Sequence, residues 1–129
     1  MRAARLAPKV AAGLGAVVFL VTGIWALVDP SSFYDTVAEW PPYNEHFLHD
    51  VGAFQIGLGA TLALALVWSD ALFVGLAGVG VGAAMHTVAH AIDHGEGGSD
   101  SDPVNLGIFA VVLLAGAALR WRDRGERQL

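Results

Sequence analysis

The sequence predicts an all-α integral membrane fold: a single four-transmembrane-helix bundle with a short interfacial helix between helices 1 and 2. Three observations carry this. Only 15% of the 129 residues are charged and 55% are hydrophobic, with a mean hydropathy of +0.56; an ordinary soluble domain carries about 25% charged residues. Four apolar segments each approach the roughly 20 residues that a helix needs to cross about 30 Å of hydrocarbon. Every Lys and Arg lies at one of the two ends of the chain. A soluble domain this apolar would expose too much hydrophobic surface. The composition also excludes a disordered tail, a disulfide scaffold and a nucleic-acid binder, since the chain has no Cys, a formal charge of −5 and no solvated basic face.

The first span runs from about Val10 to Val28 without a charge. Arg2 and Arg5 precede it as in a signal peptide, but its apolar core is too long for an h-region. No small-x-small cleavage site precedes Asp29, so it reads as a retained helix. Asp29-Pro30 ends it. In the following SSFYDTVAEW, Ser32 with Asp35 resembles a capping box, and Phe33, Val37 and Trp40 share one face. This segment is expected in the membrane interface, with Trp40 and Tyr43 as headgroup anchors. Pro41-Pro42 stops it, and Asn44 caps the second span, 44–68. Only Ser69 and Asp70 separate that span from the third, 71–94, so the two form a tight antiparallel hairpin. Gly95 to Asp102 is a flexible acidic loop, and Asp102-Pro103 caps the fourth span, 103–121. No repeat or second domain is visible in the 1–129 chain.

Charge placement orients the bundle. The basic residues are Arg2, Arg5 and Lys9 at one end and Arg120, Arg122, Arg124 and Arg127 at the other. The two longer connections contain no Lys or Arg but many acids: Asp29, Asp35, Glu39, Glu45 and Asp50 in one, Asp93, Glu96, Asp100 and Asp102 in the other. The positive-inside rule then places both termini and the Ser69-Asp70 turn in the cytoplasm. An Ala, Gly, Val and Arg bias with a single Lys points to a high-GC bacterium, hence to its inner (plasma) membrane.

The third span carries Gly75, Gly78, Gly80 and Gly82. Gly78 and Gly82 share a face on which another backbone can approach closely. The Gly75/Gly78/Gly82 face is thus the expected surface for packing, for a homo-oligomer or for a membrane partner. Steps of four from Gly78 lead through Gly82 to His86, His90 and His94.

All five histidines lie in two groups. His46 and His49 open the second span beside Asp50, while His86, His90 and His94 close the third with Asp93. At about 100° per residue each group fits within an arc of roughly 100°. Counted from the Ser69-Asp70 turn, His49 and His90 are each about twenty residues away and so nearly level. Imidazole and carboxylate are common ligands of zinc, iron and copper. Pairs of such residues on facing helices are how bundles build metal sites. Ionisable groups within a membrane span are functional by default. Gln55 lies near the opposite face of its helix from His46 and is expected to bond another helix. Asn105 opens the fourth span at the depth of the cluster, either bonding a ligand residue from behind or only capping the helix, and Glu45 is solvated surface.

The stretches GLGAVVFLVTGIWALVDPSSFY and AFQIGLGATLALAL resemble the first two helices of DoxX-like and related small bacterial membrane proteins of unknown function. That resemblance implies a four-helix membrane fold. His86-x-x-x-His90 and His46-x-x-His49-Asp50 resemble the histidine boxes of membrane fatty-acid hydroxylases and desaturases, with Asp50 standing where the second box has its last His. The likeness is an analogy about ligands only.

The leading expectation is a membrane protein with a His/Asp metal site near the outer leaflet, bound by His46, His49, Asp50, His86, His90, Asp93 and His94. His49, Asp50, His86 and His90 form its centre. As an enzyme, its divalent metal (zinc, iron or copper) would activate water or dioxygen against an apolar or lipid substrate. One alternative is an electron carrier with haem b held axially by His49 and His90. Another is a non-catalytic scaffold or accessory subunit.

Overall fold

The computed structural model describes residues 2–125, with side chains described for 5–123 and 125. Arg127 and the side chains of Arg2 and Arg124, counted above for orientation, lie outside the described residues.

Four long helices form the bundle: α1 (Arg2–Val28), α3 (Glu45–Val67), α4 (Leu72–Ile92) and α5 (Asp102–Gly125). All four are long and apolar enough to cross a membrane. Between α1 and α3 lies a short helix, α2 (Pro30–Phe33), continued by a π-helical turn, Tyr34–Ala38. The expected spans are all present, and α1 extends further toward the N-terminus than its uncharged core.

Local caps explain the boundaries. Asn44 Oδ1 accepts the Phe47 N–H at 3.1 Å, as the sequence predicts. The start of α2 differs from the expected Ser32/Asp35 box. There Asp29 Oδ1 accepts from the Ser32 N–H at 3.1 Å and from the Ser31 hydroxyl at 3.0 Å. Asp102 is the first helical residue of α5, and its Oδ2 accepts the Ser99 N–H at 2.9 Å. Its carboxylate therefore faces back into the loop instead of capping the helix.

The order of packing is not the order of the chain. α1 packs along α3 and also along α5, and α5 packs along α4, whereas the α3–α4 hairpin touches only sparsely. Small residues make this possible. A Cβ on Gly23 would lie 2.8 Å from the Gly52 carbonyl oxygen, and one on Gly52 would lie 2.8 Å from that of Gly23. Here α1 and α3 meet backbone to backbone. The main core is built of Ala12, Ala16, Ala65, Ala110 and Ala117 around Leu62, Leu72, Leu76 and Leu113. Large apolar side chains such as Val21, Phe54, Val74, Val81, Ile108 and Val111 point outward, as lipid-facing surfaces require.

The glycine face expected on α4 is divided. Gly75 packs against Ala65 (3.2 Å from an added Cβ) and Gly80 against Leu114 (2.9 Å), while Gly78 and Gly82 have nothing within 4 Å. Within the chain, Gly78 and Gly82 are thus not packing residues.

At the basic end, Arg120 donates to the Ser69 carbonyl at 3.0 Å and pairs with Asp123 at 3.3 Å, and Arg5 pairs with Asp123 at 3.4 Å. This network ties α1 and α5 to the α3–α4 turn. At the acidic end the hairpin is open, and the 30–42 segment fills the opening.

Candidate functional site

The 30–42 segment is held by a second small core in which Ala26, Phe33 and Leu48 are buried and Trp25 packs edge-on against Phe33. The π-helical turn ends at Glu39, whose φ of +43° lies in the left-handed region. Its N–H bonds the Tyr34 carbonyl at 2.8 Å. This reversal turns Trp40 inward. The Trp40 ring stands edge-on to His90, with centroids 5.4 Å apart. Expected as a headgroup anchor, Trp40 is instead a half-buried wedge, while Tyr43 remains exposed with its ring against Tyr34.

The loop between α4 and α5 closes over this wedge. The Gly98 N–H donates to the Glu39 carbonyl at 3.2 Å. Gly98 has a φ of +72°, and a Cβ there would meet Trp40 Nε1 and Asp102 Oδ2, both at 2.8 Å. Glycine is required on both counts.

Beneath lies a polar line. His86 and His90, one turn apart on α4, have Nε2 atoms 3.0 Å from each other. His90 Nδ1 stands 3.7 Å from Asp102 Oδ2, in a place where the two side chains are only 16% and 23% exposed. The Asp102 carboxylate thus sets the far side of the His90 ring, and His90 in turn meets His86.

His86 of α4 borders a half-open cavity of about 540 Å³ whose other walls are the 33–42 segment and the adjacent half of α3. Phe33, Tyr34, Trp40 and Phe47 make its aromatic walls, and Gln55 and His86 are polar groups facing it. Gln55 Oε1 is buried with no hydrogen-bond partner. Burying an amide oxygen unbonded is costly, and a water or an occupant's donor beside it would relieve that cost. His90 borders a separate polar recess of about 100 Å³ together with His94, Ser99 and Asp100. An apolar groove of about 340 Å³, lined by Leu58, Thr61, Val74 and Gly78, separates α3 from α4 nearer the basic end.

The expected seven-residue cluster divides into separate groups. α3 lines the cavity with Asn44, Phe47, Leu48, Val51 and Gln55. At about 100° per residue, His46, His49 and Asp50 point to roughly the opposite side of that helix. His46 pairs there with Asp50 at 3.7 Å, with both side chains exposed. His94 pairs with Asp100 at 3.3 Å, also in the open. Asp93 ends α4, its N–H bonded to the Ala89 carbonyl at 2.9 Å and its side chain exposed. Asn105 bonds Ser101 locally at 3.3 Å, and Glu45 is exposed. Of the four expected central ligands, His49, Asp50, His86 and His90, only His86 and His90 come together, and Asp102 joins them. Among the described residues, no group of three or more His, Asp or Glu side chains is arranged to hold a metal ion. By the same wheel His49 points away from the side of α3 that lines the cavity, whereas His90 lies with His86 and Asp102.

Three contributors to this site were not singled out for it in the sequence: Trp40, Asp102 and Gln55. For Gln55 the signal was present, a lone amide in an apolar span on the face opposite His46. For Trp40 and Asp102 it was not, since each depends on a backbone reversal in a connection. Comparison with protein families, with curated proteins and with solved structures finds no match for this chain.

Proposed function

We propose that this chain is a multi-pass membrane protein that binds an amphipathic small molecule in the cavity between the 30–42 segment, α3 and α4. The cavity itself carries this reading. Its volume of about 540 Å³ falls within the roughly 300–1,000 Å³ of small-molecule sites, and aromatic walls with a few convergent polar groups are their usual lining. The sparse α3–α4 contact offers an apolar entrance from the side, as a lipid-borne ligand needs. The positive-inside rule orients the acidic end outward, which puts the cavity in the outer leaflet of a bacterial plasma membrane with both termini cytoplasmic.

Native mass spectrometry of the protein in a mild detergent tests the reading. The wild type should retain a small molecule that Val51→Trp, which fills the cavity, releases. Identical spectra for the two proteins would overturn it.

A second reading, a bound transition metal, is favoured by one observation. A 3.0 Å separation between His86 and His90 Nε2 is what two nitrogens make at about 90° around one ion 2.0–2.1 Å away. Asp102 would then orient the His90 ring from behind, the usual role of a carboxylate next to a histidine ligand. Zinc, iron or copper found in stoichiometric amount by elemental analysis would support it, and with the cavity alongside would make a metal-dependent reaction on an apolar substrate the reading to pursue.

A further inference from the structure

The electrostatic surroundings of the cavity are one-sided. Three residues that line it, Tyr34, Trp40 and Asn44, have acidic neighbours in the chain: Asp35, Glu39 and Glu45, all exposed. Neither acidic connection contains a Lys or Arg. Among the described side chains the basic ones, Arg5, Lys9, Arg120 and Arg122, lie toward the other end of the bundle, about a hydrocarbon thickness of 30 Å away. The field is felt beside the cavity: the Tyr43 phenol is held above its ordinary value by partial loss of hydration and by Glu45, Asp29 and Asp35. Single exposed carboxylates contribute little, but like charges framing a concave, low-dielectric wall sum to a substantial potential.

The walls have the same preference. Trp40, Tyr34, Phe33 and Phe47 all line the cavity, and aromatic rings attract a cation and not an anion to their faces. An anionic headgroup would meet no Lys or Arg here and would be repelled by the rim.

We propose that the occupant is an amphipathic organic cation, an alkylamine or quaternary ammonium compound with an apolar body, a class that rests on reading the cavity as a binding site. The apolar body fills the aromatic cavity, and the positive charge lies within the field of Asp35, Glu39 and Glu45.

Two ions of matched shape and opposite charge separate this from a merely hydrophobic site. Radiolabelled tetraphenylphosphonium, tetraphenylborate and uncharged tetraphenylsilane are dialysed against the purified protein in a neutral detergent. Val51→Trp protein is the blank for micelle partitioning. The cation should bind at least about tenfold more tightly than the anion, and added salt should narrow the gap. The triple variant Asp35→Asn, Glu39→Gln, Glu45→Gln should bring the two ions level, with its circular dichroism and melting unchanged. Equal or tighter binding of the anion by the wild type would overturn the cationic class and leave the cavity reading standing. If no probe binds above the Val51→Trp blank, the cavity reading fails and the cationic class fails with it.

Discussion

His86 and His90 share a 3.0 Å contact between their Nε2 atoms, and Asp102 stands 3.7 Å behind His90. Two imidazoles in this contact need one N–H to donate and one bare nitrogen to accept, so the pair sets its own tautomers. Asp102, at 3.7 Å from Nδ1, lies beyond hydrogen-bond reach and acts on the His90 ring through its charge.

The same geometry makes the metal reading testable by subtraction. His86→Ala and His90→Ala should each remove most of any bound metal, and the double variant should remove little more, because both ligands serve one ion. His49→Ala and His94→Ala should keep the wild-type content, since one lies on the far face of α3 and the other pairs with Asp100. Elemental analysis of the five proteins decides the matter: equal metal loss from His49→Ala would refute the division of the histidines described above.

Packing glycines and open glycines should separate cleanly in thermal melts. Gly52→Leu drives a side chain into the backbone of α1 at Gly23 and should cost about 1–3 kcal/mol or more. Gly78→Leu and Gly82→Leu meet open space and should leave the monomer's melt unchanged. A loss of stability in either of these variants would mean that a second copy or another helix covers that face.

That contrast explains how much of the molecule was legible in the sequence. The four spans follow from length and hydropathy, and the Asn44 cap follows from its side chain, because both are local properties. The rotation of α3 is not local. It is fixed by Gly52 and Gly59, which dock on α1 and carry Gln55 toward the cavity and His49 away from it. The helical wheel related His46 to Gln55 correctly but contained nothing to say which of the two faces α4. The convergence of His49 and His90 assumed a hairpin that packs on itself, and α3 and α4 each pack mainly on another helix instead.

Segregation of the basic residues predicts the topology. Alkaline phosphatase fused after Leu129 should be inactive, and the same reporter inserted at Gly97 should be active. Strong activity of the C-terminal fusion would reverse the orientation and move the cavity to the inner leaflet.

The closure of the acidic end should depend on Gly98, as on Gly97, whose added Cβ would lie 2.9 Å from the Glu39 carbonyl oxygen, and not on Gly95. Gly98→Val adds two faults at once, a β-branched residue at a φ of +72° and a Cβ 2.8 Å from both Trp40 Nε1 and Asp102 Oδ2. Gly95→Val is the control: its φ of +96° is equally unsuitable, but nothing lies within 4 Å of its added Cβ. Each strained backbone costs about 1–3 kcal/mol, so only the wedge distinguishes the two variants. In a background where Trp25, Trp68 and Trp121 are replaced by Phe, Trp40 is the sole fluorophore. Gly98→Val should shift its emission to the red and raise its quenching by acrylamide as the ring leaves His90, while Gly95→Val should leave both unchanged. Equal shifts in the two variants would show that strain anywhere in the loop releases Trp40, and that the Gly98 contact is not what holds it.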